Sequence, residues 1–151
     1  MGIILLKNKS FANFIKIRKN MNTTSYLLLR LAIAISMFGH GLVRMPKLQG
    51  FSDWMTKSFE SSMLPQTLVR PFSYALPVAE LLVGLLLLLG LFTRQSLLVG
   101  GLVMLALLLG TTLIENWEAI PSQLLHVVFF AVLLHFIESN SYALDSFFTQ
   151  K

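Results

Sequence analysis

Four apolar runs govern what this chain can become. Residues 26–44, 72–92 (FSYALPVAELLVGLLLLLGLF), 96–114 (SLLVGGLVMLALLLGTTLI) and 120–137 (IPSQLLHVVFFAVLLHFI) stand out. Each approaches the roughly 20 residues that a helix needs to cross a hydrocarbon core about 30 Å thick. Within a bilayer the backbone must satisfy its own hydrogen bonds, so runs of this length fold as helices. Only TRQ separates the second run from the third and ENWEA the third from the fourth, which makes consecutive helices antiparallel neighbours. The expected fold is all-α, an integral membrane up-down-up-down four-helix bundle. It forms one domain over residues 21–151 behind a basic N-terminal arm, residues 1–20.

Composition agrees with this class, since 55% of residues are hydrophobic and 13% charged, against about 45–50% and about 25% in soluble domains. The net charge of +5 does not point to nucleic acid. Lys7, Lys9, Lys16, Arg18 and Lys19 crowd ahead of the first run, where the positive-inside rule places them. Arg94 lies in the second turn and Glu115 and Glu118 in the third, so both termini are expected on the cytoplasmic side. Arg44, Lys47, Lys57 and Arg70 in the first loop reduce that contrast. The arm itself fits a basic surface helix or a stretch upstream of a true start at Met21. With no cysteine in the chain, thiolate metal sites, iron–sulfur clusters and dithiol exchange by the chain itself are excluded.

The first loop carries Phe51, Trp54, Met55, Phe59 and Met63 at helical spacing, with Asp53, Lys57 and Glu60 on the other face. This predicts an amphipathic helix, with Ser52 as a candidate N-cap, lying on the outer leaflet or capping the bundle. Trp54 and Trp117 fall on that side as interfacial anchors.

Polar residues inside the runs are the candidates for chemistry. Arg30 lies a few residues inside the first run and can snorkel to the nearby interface. Glu80 lies about eight residues, or roughly 12 Å, below the outer boundary of its run, too deep for a short carboxylate to reach water. It must be neutral, paired or in a polar cavity. His40 and His126 lie at similar depths, and Thr111 and Thr112 end the third run, so each helix is expected to bring a polar group to one outward-opening pocket. His135 points about 180° away from His126 and does not join it. Counting 100° per residue puts Arg30, Met37 and Gly41 on one face of the first helix, with His40 about 80° away. His40, if turned toward the second helix, is one expected partner for Glu80; Arg30 is the next. Pro77 is expected to bend its helix beside Glu80, and the glycines to permit close helix approach.

LLLRLAIAISMFGHGLVRMPK, with an early arginine, a histidine-glycine pair and a following basic residue, resembles the opening of the DoxX family of small four-helix membrane proteins. PVAELLVGLLLLLGLFTR resembles that family's glutamate, spaced glycines and terminal threonine-arginine. The likeness covers about residues 26–113, with Arg30, His40, Gly41 and Glu80 on family-pattern positions. It implies a bacterial inner-membrane protein associated with a membrane oxidoreductase such as a quinol oxidase or a thiosulfate:quinone oxidoreductase. On that expectation the chain is a quinone-facing or accessory subunit, with Glu80 and His40 moving protons and Arg30, Gly41, Thr111 and His126 lining a quinone site. Histidine titrates at about pH 6.5, which suits such traffic. Nothing in the sequence supplies electrons, so a redox partner protein, or a second copy of the chain, is expected beside it. The contrasting expectation is a non-enzymatic module in which a buried Arg30/Glu80 pair holds the bundle together while the loop helix binds a partner or lipid. Haem ligation by His40 and His126 ranks below both, because intramembrane histidines more often hydrogen-bond than bind iron.

Overall fold

The computed structural model describes residues 20–146; residues 1–19 of the basic arm lie outside the described residues. Five α-helices follow in order: α1 (Thr23–Arg44), α2 (Leu48–Ser58), α3 (Gln66–Leu89), α4 (Thr93–Leu113) and α5 (Ile120–His135). There is no strand among the described residues. α1, α3 and α4 are long and apolar enough to cross a membrane, whereas α5 has 16 residues, about 24 Å at 1.5 Å per residue.

α1, α3, α4 and α5 form a closed ring in that order, as the short connections require: α1 packs against α3, α3 against α4, α4 against α5 and α5 against α1. Paired positions show antiparallel register. Gly41 meets Leu81 and Gly84 meets Phe38 across the α1–α3 seam, and a Cβ on either glycine would strike the opposing backbone. These contacts set how closely α1 and α3 approach, as small residues do at intramembrane crossings. Gly100 serves the same purpose between α4 and α5, where the ring of Phe130 fills the place of its side chain. The core inside the ring is apolar, with Ala34, Met37, Leu87 and Leu133 fully buried.

Local signals explain the helix ends. Asn22 caps α1 by accepting from the backbone N–H of Thr24 (2.9 Å) and Ser25 (3.3 Å). α3 runs through Pro71 and Pro77 and stops at Gly90, whose φ of 65° is the left-handed conformation of a helix C-cap. Leu91 N–H then bonds back to Leu86 O at 2.9 Å, closing the turn. The α3–α4 connection is therefore Gly90 to Phe92, and Thr93, Arg94 and Gln95, expected as the turn, begin α4.

The loop helix exists, but shorter than its apolar pattern: α2 ends at Ser58, and Met63 lies beyond it, 88% exposed. Ser52 is not its N-cap. The helix starts four residues earlier, and Ser52 is buried inside it, sharing a 2.7 Å hydrogen bond with Ser73 of α3. α2 thus lies over α3, with Met55, Phe59, Val69 and Leu76 forming a second apolar cluster beneath it. One end of the bundle is roofed by α2; the other gathers Met21, the α3–α4 turn and the C-terminal segment.

Candidate functional site

Glu80 is 2% exposed on α3, and its partner is Arg44, the last residue of α1, which donates from Nη1 to Glu80 Oε2. Neither expected partner fills that place. His40 is exposed and turned toward α5, and Arg30 is buried at the opposite end of α1. The glycine crossing explains the choice. With α1 and α3 nearly in backbone contact at Gly41 and Leu81, a long side chain one turn further on reaches across to Glu80. Arg44 is 27% exposed, and its guanidinium carbon also lies 4.8 Å from the ring centre of Phe51 on α2. A cation on an aromatic face at this distance is attractive, so one side chain ties α1, α3 and the roofing helix together.

Arg44 also lines a cavity of about 470 Å³ beneath α2, between α3 and α4. Its wall is largely apolar, including Phe51, Met55, Phe72, Leu76 and Leu107. The polar groups are few: Arg44, Thr111, Asn116 and Gln123. Gln123 Nε2 donates to Thr111 Oγ1 at 2.7 Å, and Thr111 donates on to the carbonyl of Leu107 at 2.7 Å. Gln123 Oε1 is buried without a hydrogen-bond partner. A cavity of this size, apolar with a few polar groups, has the make-up of a small-molecule site.

His40 and His126 lie outside that cavity, on the α1–α5 seam. Their ring centres are 6.3 Å apart. His126 Nδ1 bonds the carbonyl of Ser122 at 2.8 Å, and Nε2 meets Ser36 Oγ at 2.8 Å. A carbonyl can only accept, so Nδ1 carries the proton. Nε2 is therefore free to accept from the Ser36 hydroxyl. His126 lies within electrostatic reach of Glu80, and His40 within reach of Arg44. The single outward pocket expected from depth is therefore two neighbouring sites, divided by the Arg44–Glu80 pair, because residues at equal depth face different seams of the ring. His135 is exposed and stacks edge-on against Phe136, apart from both. Thr111 lines the cavity, whereas Gly41 is used up in the helix crossing. Among the described residues no group of three or more His, Asp or Glu side chains is placed to hold a metal ion.

Arg30 belongs to different machinery. It is 2% exposed and does not snorkel: Nη1 donates to Asn140 Oδ1 at 2.6 Å and Nη2 to the carbonyl of Tyr142 at 2.7 Å. Asn140 in turn donates to Thr93 Oγ1 at 3.0 Å. Asp145 accepts from the backbone N–H of Phe92 and Thr93, both at 2.7 Å, capping α4 from 52 residues away. Arg30 and Asp145 thus latch the C-terminal segment across the mouth of the ring. Asp145→Ala removes this cap and should cost about 1 kcal/mol. Limited proteolysis in detergent should then cut the C-terminal segment faster than in the wild type; an unchanged rate would mean that Arg30 and the backbone bonds of Leu144 and Asp145 to Leu89 and Gly90 suffice to hold it.

The family model for DoxX matches residues 25–117, more than half of the chain. The chain belongs to the DoxX family. No curated protein and no solved structure matches it. In this DoxX protein the match covers Arg30, His40, Gly41, Arg44, Glu80 and Thr111, and it ends before α5. Gln123, His126 and the segment that holds Arg30 therefore belong to the part beyond the family match. Arg44, Asn116 and Gln123 are polar residues of the cavity that the sequence did not single out. Arg44 was legible by angle, since it lies seven residues after Met37 and so about 20° from it around α1, on the buried face. Gln123 gave no comparable signal.

Proposed function

We propose that this DoxX protein is a quinone-facing subunit of a membrane redox complex, with the cavity under α2 as its quinone site. The observation that carries this reading is the cavity's make-up: an apolar space of about 470 Å³ with one cationic donor, Arg44, backed by the buried carboxylate of Glu80. The residues fit such a ligand. Arg44 spends Nη1 on Glu80 and keeps further N–H groups for an acceptor oxygen of a ring head. Thr111 and Gln123 supply a second polar point, and Gln123 Oε1 lacks a partner. A bound quinone would supply two-electron, two-proton chemistry. Glu80 would hold a proton beside the head group, and His126 and His40, on its far side, would pass it toward the surface groove formed by Ser36, Gly39, His40 and Arg44. Electrons would pass to a partner protein, since a chain without cysteine carries no dithiol or iron–sulfur centre of its own. The charge pattern supports an orientation with both termini cytoplasmic and the α2-roofed end outward, and the membership of the DoxX family supports a bacterial inner membrane.

The test is the quinone content of protein purified from its own membranes in mild detergent. Wild type should carry near-stoichiometric quinone. Ala106→Phe, which fills the cavity from α4, should lose it. Glu80→Gln, able to keep its hydrogen bond with Arg44, should retain less than wild type at equal folded yield. Absence of quinone from the wild type would overturn the proposal and leave the Arg44–Glu80 pair as a structural link in a non-enzymatic module.

A further inference from the structure

The wall of the cavity and the outer surface of the bundle coincide at two leucines. Leu68 on α3 and Leu109 on α4 both line the cavity, yet they are 60% and 61% exposed. The reason lies in the connection between these helices. At the α3–α4 turn they are held together by three residues, and further along Val83 still meets Gly100. Toward α2 the space between them is the cavity itself. α3 and α4 thus form a wedge, closed at the tight turn and open at the roofed end. The two leucines sit near the helix ends, Leu68 in the first turn of α3 and Leu109 in the last turn and a half of α4. In a bilayer that level is the boundary between head groups and acyl chains. Arg44 and Gln123 come from α1 and α5, the helices that do not form the gap.

Resting on the reading of the cavity as a quinone site, we infer that it is loaded sideways from the bilayer through the gap between α3 and α4. Its ligand is a long-tailed lipophile whose ring head enters while the tail stays in lipid. The cavity, of about 470 Å³, has room for a substituted ring, and the gap lies at the edge of the acyl region, where a long tail is already dissolved. The alternative way in, from water past Trp54 and Asn116 at the edge of the roof, would suit a water-soluble ligand with no tail.

The cysteine-free chain makes the test clean. Single cysteines at Leu68, Leu109 or Trp54, all exposed positions, are alkylated with a bulky maleimide. Each protein is then placed in phosphatidylcholine vesicles that hold a long-tailed benzoquinone, and bound quinone is measured after re-extraction. Modification at Leu68 or Leu109 should lower uptake by about tenfold, equivalent to about 1.4 kcal/mol, and modification at Trp54, on the cavity's aqueous rim, should lower it less than at either leucine. Modification at Leu68 after loading should trap the quinone already bound. Equal loss at all three positions, or loss at Trp54 alone, overturns the lateral route while leaving the cavity as a quinone site. Failure of the unmodified protein to take up any quinone removes the site itself and the route with it.

Discussion

Arg44→Met should lower the stability of the bundle by about 3 kcal/mol, whereas adding Glu80→Leu to it should recover most of that loss. Removing one partner of a buried ion pair typically costs about 3–5 kcal/mol, because the charge left behind has neither water nor a counter-ion. Glu80 is 2% exposed and would be stranded in this way. The lower end of the range applies because Arg44 itself is 27% exposed. Replacing both members by apolar groups removes the stranded charge, and such replacements are often neutral or stabilising. The double-mutant cycle, measured by reversible unfolding in mixed micelles, should therefore give a coupling of about 2–3 kcal/mol. Additive single effects would mean that the two side chains do not depend on each other. The double variant should also bind no quinone despite being folded, which separates the pair's place in the site from its place in the scaffold.

Gly84→Ala should be comparably damaging at a site that touches neither the cavity nor the ion pair. A methyl group there meets the backbone of Phe38, which cannot rotate out of the way, so α1 and α3 must move apart. Overpacking of this kind costs about 1–3 kcal/mol, and more where the backbone has to shift. Gly39 and Gly50 provide the contrast, since nothing lies within 4 Å of a Cβ built on either. Gly39→Ala, inside α1, should be neutral or gain up to about 1 kcal/mol from helix propensity alone. Thermal unfolding of the three proteins in one detergent checks the order. Equal melting temperatures for Gly84→Ala and the wild type would show that the α1–α3 seam has slack. Because the same seam brings Arg44 to Glu80, a widened crossing should also lower quinone content.

Much of the fold was written in the chain at the level of length and period. Four runs near the span of a bilayer, joined by short connections, leave little choice but antiparallel neighbours in a ring. The depth of Glu80 ruled out contact with water, and it is buried. Counting 100° per residue put Arg30, Met37 and Gly41 on one face of α1, and all three are buried. The same count carries on to Arg44, but a cation at the end of an apolar run resembles a flanking charge, and hydropathy cannot tell an end that meets lipid head groups from one folded under a loop helix. Ser52 misled for a related reason: serine ahead of an amphipathic stretch is a cap signal, yet the helix began earlier and its hydroxyl was needed against Ser73.

Sequence by itself determined the class, the order of the apolar helices, and which residues had to leave the lipid. Each of these follows from transfer free energy along a single helix, which depends on residue type and position alone. Tertiary structure decided which of the excluded groups meet. Arg30 finds Asn140 and Tyr142, 110 and 112 residues away, and Arg44 takes the carboxylate that His40 or Arg30 was expected to hold. His40 and His126 face their own seam, and the cavity lies beneath α2 between α3 and α4. Partner choice depends on the rotation and crossing of one helix against another. Here that is set by Gly41 and Gly84 lying against opposing backbone, a contact between distant parts of the chain that no local pattern encodes.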